Sequence, residues 1–348
     1  MNAHLYFPPL VRCRIVVRKA LPIISILCLG TSPMSQNSTV TLPTNPYFDP
    51  KNDPCNPLRY IVSNSLTVMV ISVVLASALI HTFWAFRYRT TWMLTLVTSE
   101  YCYAIGFCFR FLLHYYPDSR RIYITEYLII VLSPCGFIAA DYVLLGRFAK
   151  FLSCSEHVPL PPNKITLVFV ISDISTFLIQ ATGGSLITSH SATMIVRGVH
   201  ILLAGLVLQL VSFFTFSCIY VRFLYKIYTR RPDIWNKDQT KSWYSHWRAL
   251  AGALMISSIG ILIRSGYRVA EISYGYQGLL ATTEGYFYFM DTLPLVIANL
   301  AYIPCWPARF IFDEPVQENT GPNLSSYSST VAAPMLGTLH FSSLDSFA

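Results

Sequence analysis

Runs of apolar residues, broken by only a few polar side chains, recur along most of the chain. A window of about 20 residues matches the hydrocarbon thickness of a bilayer. Slid along the chain, it marks seven segments: residues 61–84, 92–114, 122–145, 165–187, 194–220, 250–269 and 286–306. The first, and residues 198–220 of the fifth, hold no Asp, Glu, Lys or Arg; the other segments each keep at least one charge. Backbone facing lipid must satisfy its own hydrogen bonds, so the segments should be helices. An outer-membrane barrel would show alternating segments of about 10 residues, and the chain has no such pattern. The expectation is an all-α membrane protein with seven transmembrane helices. Residues 1–57 form a leader and short extracellular segment, 58–312 the seven-helix domain, and 313–348, rich in Ser, Thr, Pro and Gly, a disordered cytosolic tail.

Composition agrees with the pattern. The chain is 53% hydrophobic and only 12% charged, about half the charge of a soluble globular domain. That excludes a disordered chain and argues against an ordinary soluble enzyme. The formal charge of +8 would suggest nucleic acid in a soluble protein. Here its distribution sets topology instead, and no nucleic-acid partner is expected. With the N-terminus outside, the inner connections and the tail junction hold thirteen Lys and Arg against six on the outer side from Asn45 onward. The positive side faces the cytoplasm, which predicts N-outside and C-cytosolic. Residues 222–248 dominate this vote and carry Trp235, Trp243 and Trp247, so they are expected to lie on the headgroups.

The leader places Arg12, Arg14, Arg18 and Lys19 before an apolar stretch at 20–30, the order of a signal peptide with a long basic region. A start at Met34 is the favoured alternative, because residues 34–57 already make a short ectodomain. Asn37-Ser38-Thr39 is a glycosylation sequon there. Asn323-Leu324-Ser325 is a second sequon, but it falls in the cytosolic tail. None of the nine cysteines makes a C-x-x-C pair, and those inside the apolar runs read as buried small hydrophobes. No metal site or cofactor is expected.

Ionisable groups cost roughly 2.5–3.5 kcal/mol each inside a bilayer, so they face the bundle interior, pair, or line a wet cavity. Glu100 and Arg110 share the second helix, about 15 Å of rise apart, and must find partners elsewhere. Glu126 and Asp141 lie on the third, on either side of the helix-kinking Pro134. Asp173, Phe177, Gln180 and Gly184 share one face of the fourth; Gly198, Gly205, Gln209 and Ser212 repeat the pattern on the fifth. Ser257, Gly260, Arg264, Tyr267 and Glu271 do so on the sixth, and Glu284, Tyr288 and Asp291 on the seventh. Such stripes describe either polar glue between helices or a cavity for an amphipathic ligand. Local pairing, as of Arg268 with Glu271, favours glue. His81, His114 and His200 read as helix-end or packing residues.

In order, these positions resemble the fungal lipid-translocating exporter family, the RTA-like seven-helix proteins linked to aminocholesterol resistance and sphingoid long-chain base export. The resemblance covers about residues 45–312. It is carried by Gly106 to Arg110; by Pro134, Ala139-Ala140 and Tyr142, then Gly146-Arg147; and by Asp173, Phe177, Gln180 and Gly183-Gly184. It continues through Gly198, Gly205 and Gln209; Arg264, Tyr267, Arg268 and Glu271; and Glu284, Tyr288 and Asp291. The family usually has an acid where this chain has Tyr103, and Glu100, one turn earlier, is expected to substitute. The family often has Gln at the position of Glu126. The resemblance implies a non-enzymatic transporter of amphipathic lipids in the cell membrane, with internal membranes as the alternative site. The implied cargo is a sphingoid base or sterol-like toxic amphiphile. Glu100, Asp173 or Asp291 would hold a cargo amine; Arg110 or Arg264 would hold a phosphate or carboxylate. No P-loop is present, so energy comes from a partner, a gradient, or nowhere. A seven-helix receptor for a lipophilic ligand, or an exporter of a lipophilic metabolite, is the alternative. No H-E-x-x-H or G-x-S-x-G motif supports an intramembrane enzyme.

Overall fold

The computed structural model describes residues 47, 50–51, 56–152, 162–189, 191–235, 246–275 and 278–310. The leader, Asn37, Trp243 and the 313–348 tail lie outside the described residues. Every regular element among the described residues is helical. In chain order they are α1 Asn64–Arg87, a 3-10 turn Thr91–Met93, α2 Leu94–Tyr115, α3 Arg120–Leu132, α4 Pro134–Phe151 and α5 Pro162–Ile187. Then come α6 Ala192–Arg230, a helical turn Pro232–Trp235, α7 Trp247–Ser273, α8 Glu284–Tyr286, a π-helical turn Phe287–Thr292 and α9 Leu293–Ala301. Counting α3 with α4, six helices are long and apolar enough to cross a membrane. The chain is an all-helical membrane protein.

Burial shows why these helices need lipid. α1 turns Thr67, Ser77 and His81 inward, at 0%, 2% and 0% exposure, and turns Leu79, Phe83 and Phe86 outward, at 62%, 62% and 73%. Polar side chains inside and large apolar ones outside reverse the pattern of a water-facing helix. Apolar solvent outside the bundle makes that reversal favourable.

Three boundaries differ from the hydropathy segments. α6 runs ten residues past Tyr220 to Arg230. At 1.5 Å per residue its 39 residues reach about 58 Å, well beyond a bilayer core of about 30 Å. Arg222, Lys226 and Arg230 stop an apolar window but not a helix, since Lys and Arg are good helix formers. They therefore sit on α6, not in a loop. α4 likewise continues to Phe151. The last apolar segment is helical only from Glu284 to Ala301, in three pieces. Pro304 and Pro307 disfavour helix in the residues before them and end it short of Trp306.

α5 and α6 form the most extensive helix pair, and they meet backbone to backbone. A Cβ on Gly183 would lie 2.5 Å from the Leu202 nitrogen, and one on Gly198 would lie 2.8 Å from the Gly183 carbonyl oxygen. Neither neighbour can rotate away. Gly183→Leu is expected to destabilise the protein by about 2–3 kcal/mol through overpacking. Gly252→Leu on α7, where an added Cβ meets nothing within 4 Å, should be neutral or stabilising. Thermal unfolding of the two purified variants checks this; equal midpoints would contradict the close crossing.

Candidate functional site

Pro134 has no N–H, so the Ile130 carbonyl one turn earlier has no partner within the helix. The break separates α3 from α4 at Ser133. Arg264, from the middle of α7, fills the gap: its Nη2 donates to the Ile130 oxygen at 2.5 Å. Its Nη1 donates to Asp291 Oδ2 at 2.8 Å and to the Tyr103 hydroxyl at 3.2 Å. One buried guanidinium thus joins the broken third span to α2 and to the π-helical turn Phe287–Thr292.

Asp291 sits within that π turn and is 0% exposed. π turns are rare and concentrate at functional sites. Arg268, one turn beyond Arg264, holds Asp291 with two bonds, Nε to Oδ1 at 2.6 Å and Nη2 to Oδ2 at 2.9 Å. Its remaining Nη1 donates to Glu271 Oε2 at 2.8 Å.

Arg110 organises a second cluster near the α2–α3 connection. Its Nη1 donates to Glu126 at 3.0 Å and its Nη2 to the Tyr60 hydroxyl at 2.9 Å. Its Nε reaches the Tyr288 hydroxyl at 3.4 Å, and its guanidinium lies 3.9 Å from the Phe287 ring centre, a cation–π contact. Glu284 lies 3.7 Å from Nη2 and accepts from the Ser63 N–H at 2.9 Å, closing α8 against the start of α1. Burial outweighs the pull of Arg110 and pushes the Tyr60 hydroxyl up to about 12. Tyr60 therefore remains a neutral phenol and adds no charge to the cluster.

Toward the other end of the bundle the chemistry changes. Gln180 Nε2 donates to Gln209 Oε1 at 2.8 Å, and Gln209 Nε2 to the Cys135 sulfur at 3.3 Å, linking α5, α6 and α4. Asp141 accepts from the hydroxyls of Tyr302 at 2.7 Å and Ser257 at 2.8 Å. Glu100 is met by His81 Nδ1 at 2.9 Å and Ser77 at 3.2 Å, and the His81 ring stacks on Trp306. Arginines at this end lie over aromatic rings: Arg147 on Trp92, Arg309 on Trp84 and Arg248 on Trp235.

The twelve polar positions singled out in the sequence are thus divided among separate clusters. Arg264, Glu271 and Asp291 meet through Arg268; Arg110, Glu126, Glu284 and Tyr288 meet each other; Gln180 meets Gln209. Glu100, Asp141 and Asp173 stand apart. Glu100 does not substitute at the Tyr103 position: Tyr103 faces Arg264, whereas Glu100 faces α1. His81, expected as a packing residue, is instead the partner of a buried carboxylate. Tyr60 and Trp306, at the edges of the apolar segments, and Tyr302, inside the last one, were not anticipated either. The signal for His81 was available: a histidine deep in a charge-free apolar run needs a polar partner.

Two crevices beside Tyr127 have volumes of about 10 and 20 Å³, room for little more than one water. The Arg268–Glu271 pair, three residues apart, is the local pairing that favours polar glue. Among the described residues, no three His, Cys, Asp or Glu side chains converge as metal ligands.

A model of the RTA1-like protein family matches residues 96–314. Among curated proteins of Saccharomyces cerevisiae, Protein RTA1 is 31% identical over 60% of this chain and 63% of its own length. Protoporphyrin uptake protein 1 is 26% identical over 57% of this chain and 63% of its own. The sphingoid long-chain base transporter RSB1 is 25% identical over 56% of this chain and 59% of its own. The matches therefore span just under two thirds of these relatives. No solved structure matches the chain.

Proposed function

The chain belongs to the RTA1-like protein family, and from that premise we propose that it moves amphipathic lipids or lipid-like amphiphiles across the plasma membrane. Two relatives are named for cargo of this kind, a sphingoid long-chain base and a protoporphyrin. The observation that carries the reading is the interior itself: polar side chains run the length of the bundle while its outside is apolar. A headgroup needs such a lane, whereas its acyl tail can stay in lipid.

In this reading the seventh span is the segment from Glu284 to Ala301, kinked at its π turn. The N-terminus is outside and the C-terminus cytosolic, so the end carrying the arginine–tryptophan pairs faces the cytoplasm, as interfacial anchors and positive charge would have it. Residues 1–57 are the leader and ectodomain, with Asn37 glycosylated, and 313–348 the tail. Sphingoid bases are the preferred cargo, and an energising partner or gradient supplies the work. The lane is formed by Glu100, Arg110, Glu126, Asp141, Asp173, Gln180, Gln209, Arg264, Glu271, Glu284, Tyr288 and Asp291. Because the interior is closed, cargo passage requires the helices to part, most readily where Pro134 already interrupts the third span.

Purified protein in liposomes containing fluorescent sphingoid and phospholipid probes tests this. Sphingoid movement between leaflets should exceed that in protein-free vesicles, with phospholipid movement lagging. Movement no faster than in empty vesicles defeats the proposal; saturable probe binding without movement turns it toward a receptor.

A further inference from the structure

Seven carboxylates lie on the membrane-length helices, on α8 and on the π turn, and six have partners. Glu126, Glu271, Glu284 and Asp291 are held by arginines. Glu100 has His81 and Ser77, and Asp141 has two hydroxyl donors. Asp173 differs. It is 5% exposed, yet neither of its carboxylate oxygens accepts a hydrogen bond, and it enters no ion pair among the described residues.

Its surroundings are polar and equally unsatisfied. Beside it stand the Tyr142 hydroxyl of α4 and the Ser212 hydroxyl of α6, close enough to stabilise the carboxylate weakly but outside hydrogen-bond geometry. Both are buried atoms with no hydrogen-bond partner. Farther along α4 lies the Cys135 thiol, already engaged by Gln209. α3 meets α5 through Leu128 at Gly184 and through Arg120, whose Nη2 donates to the Ile187 oxygen at 3.0 Å, about 21 Å along the helix from Asp173. Three oxygen-bearing side chains from three helices thus converge at a point that lacks a counter-charge.

An ionised carboxylate left there would cost several kcal/mol, and only two species relieve that cost, a proton or a cation. We propose that Asp173, with Tyr142 and Ser212 beside it, is a proton–ammonium exchange site. The carboxyl holds a proton in the closed bundle and surrenders it when the primary ammonium of an amphipathic amine arrives. The step balances: a neutral acid and an R–NH3+ become a carboxylate–ammonium pair, and one proton is released per amine bound. Packing favours a proton as the resting occupant, since it needs no added volume. The arginine-held acids cannot serve, because their charge is already compensated. This inference rests on the transport reading and gives it an energy source: a pH difference across the membrane would drive net amine movement.

The full-length protein in liposomes, loaded with a pH-sensitive dye, is challenged with sphingosine or with uncharged ceramide. Sphingosine should release protons and ceramide should not, and a pH gradient should accelerate sphingosine movement. Asp173→Asn should abolish both effects, and Asp173→Glu should restore them. Infrared difference spectra provide a second readout that does not need transport. The wild type should show the carbonyl stretch of a protonated acid that sphingosine removes, and Asp173→Asn should lack it, with its thermal midpoint confirming that it folds. Sphingosine movement unaffected by pH and by Asp173→Asn overturns the exchange site while leaving the transporter reading intact. No lipid movement in the wild type defeats the transporter reading, and the infrared result then decides the site alone: a band that is absent, or that sphingosine leaves unchanged, overturns it.

Discussion

Asp291→Leu is expected to remove a large share of the protein's stability, about 3–5 kcal/mol. The native carboxylate is fully buried and lies between two guanidinium groups, 2.8 Å from Arg264 and 2.6 Å from Arg268. Removing it leaves two buried cations facing each other, with only Glu271 remaining for Arg268. Breaking a buried pair from one side costs about 3–5 kcal/mol, against a total stability of about 5–15 kcal/mol. A guanidinium cannot shed its charge by losing a proton, so nothing relieves the loss. Adding Arg264→Met to Asp291→Leu should recover part of the stability, because one orphaned charge is removed as well. Denaturant unfolding of the purified single and double variants measures both effects. A loss below about 1 kcal/mol for Asp291→Leu, the scale of an exposed ion pair, would refute the two-arginine clasp.

The second large effect is expected from Arg110→Met. The guanidinium joins α2 to α3 through Glu126 and to α8 and the π turn through Phe287, Tyr288 and Glu284. Its loss should cost about 2–4 kcal/mol, less than that of Asp291, because the abandoned Glu126 can neutralise itself by taking a proton. The two acids should contribute unequally. Glu126 is 3% exposed and hydrogen-bonded at 3.0 Å, whereas Glu284 is 19% exposed at 3.7 Å. Glu126→Gln is therefore expected to exceed about 1 kcal/mol and Glu284→Gln to stay below it. The same unfolding measurement ranks them, and a larger loss for Glu284→Gln would show that Glu126 is not the principal partner.

Much of this was legible in the sequence. The apolar runs located every membrane-length helix, and the expense of a buried charge required Arg110 and Glu100 to find partners on other helices. Helical spacing put Asp173 and Gln180 on one face of α5 and Gln209 on a polar stripe of α6, but only the structure shows that Gln180 meets Gln209. Pro134 announced its kink. Less accessible were features set by the neighbours of a residue. The continuation of α6 past Tyr220 is invisible to an apolar window, because that window measures the solvent around a helix and not the helix itself. His81 and Trp306, more than two hundred residues apart, have no periodic relation; only the docking of the last segment against α1 brings the rings together.

Local rules determined what each segment must be. Backbone in lipid must hydrogen-bond within itself, which makes the apolar runs helices, and every ionisable group on them must face protein. They could not determine which charge meets which, because helical periodicity ranks faces but is silent about neighbours across a gap. Tertiary structure decided that. Where four acids lie within reach of arginines they are neutralised in place; Asp141 meets only hydroxyl donors, and Asp173 lies beside hydroxyls without bonding them and without a cation. The difference is a matter of a few ångströms between helices, and electrostatic energy in a medium without water turns on that distance.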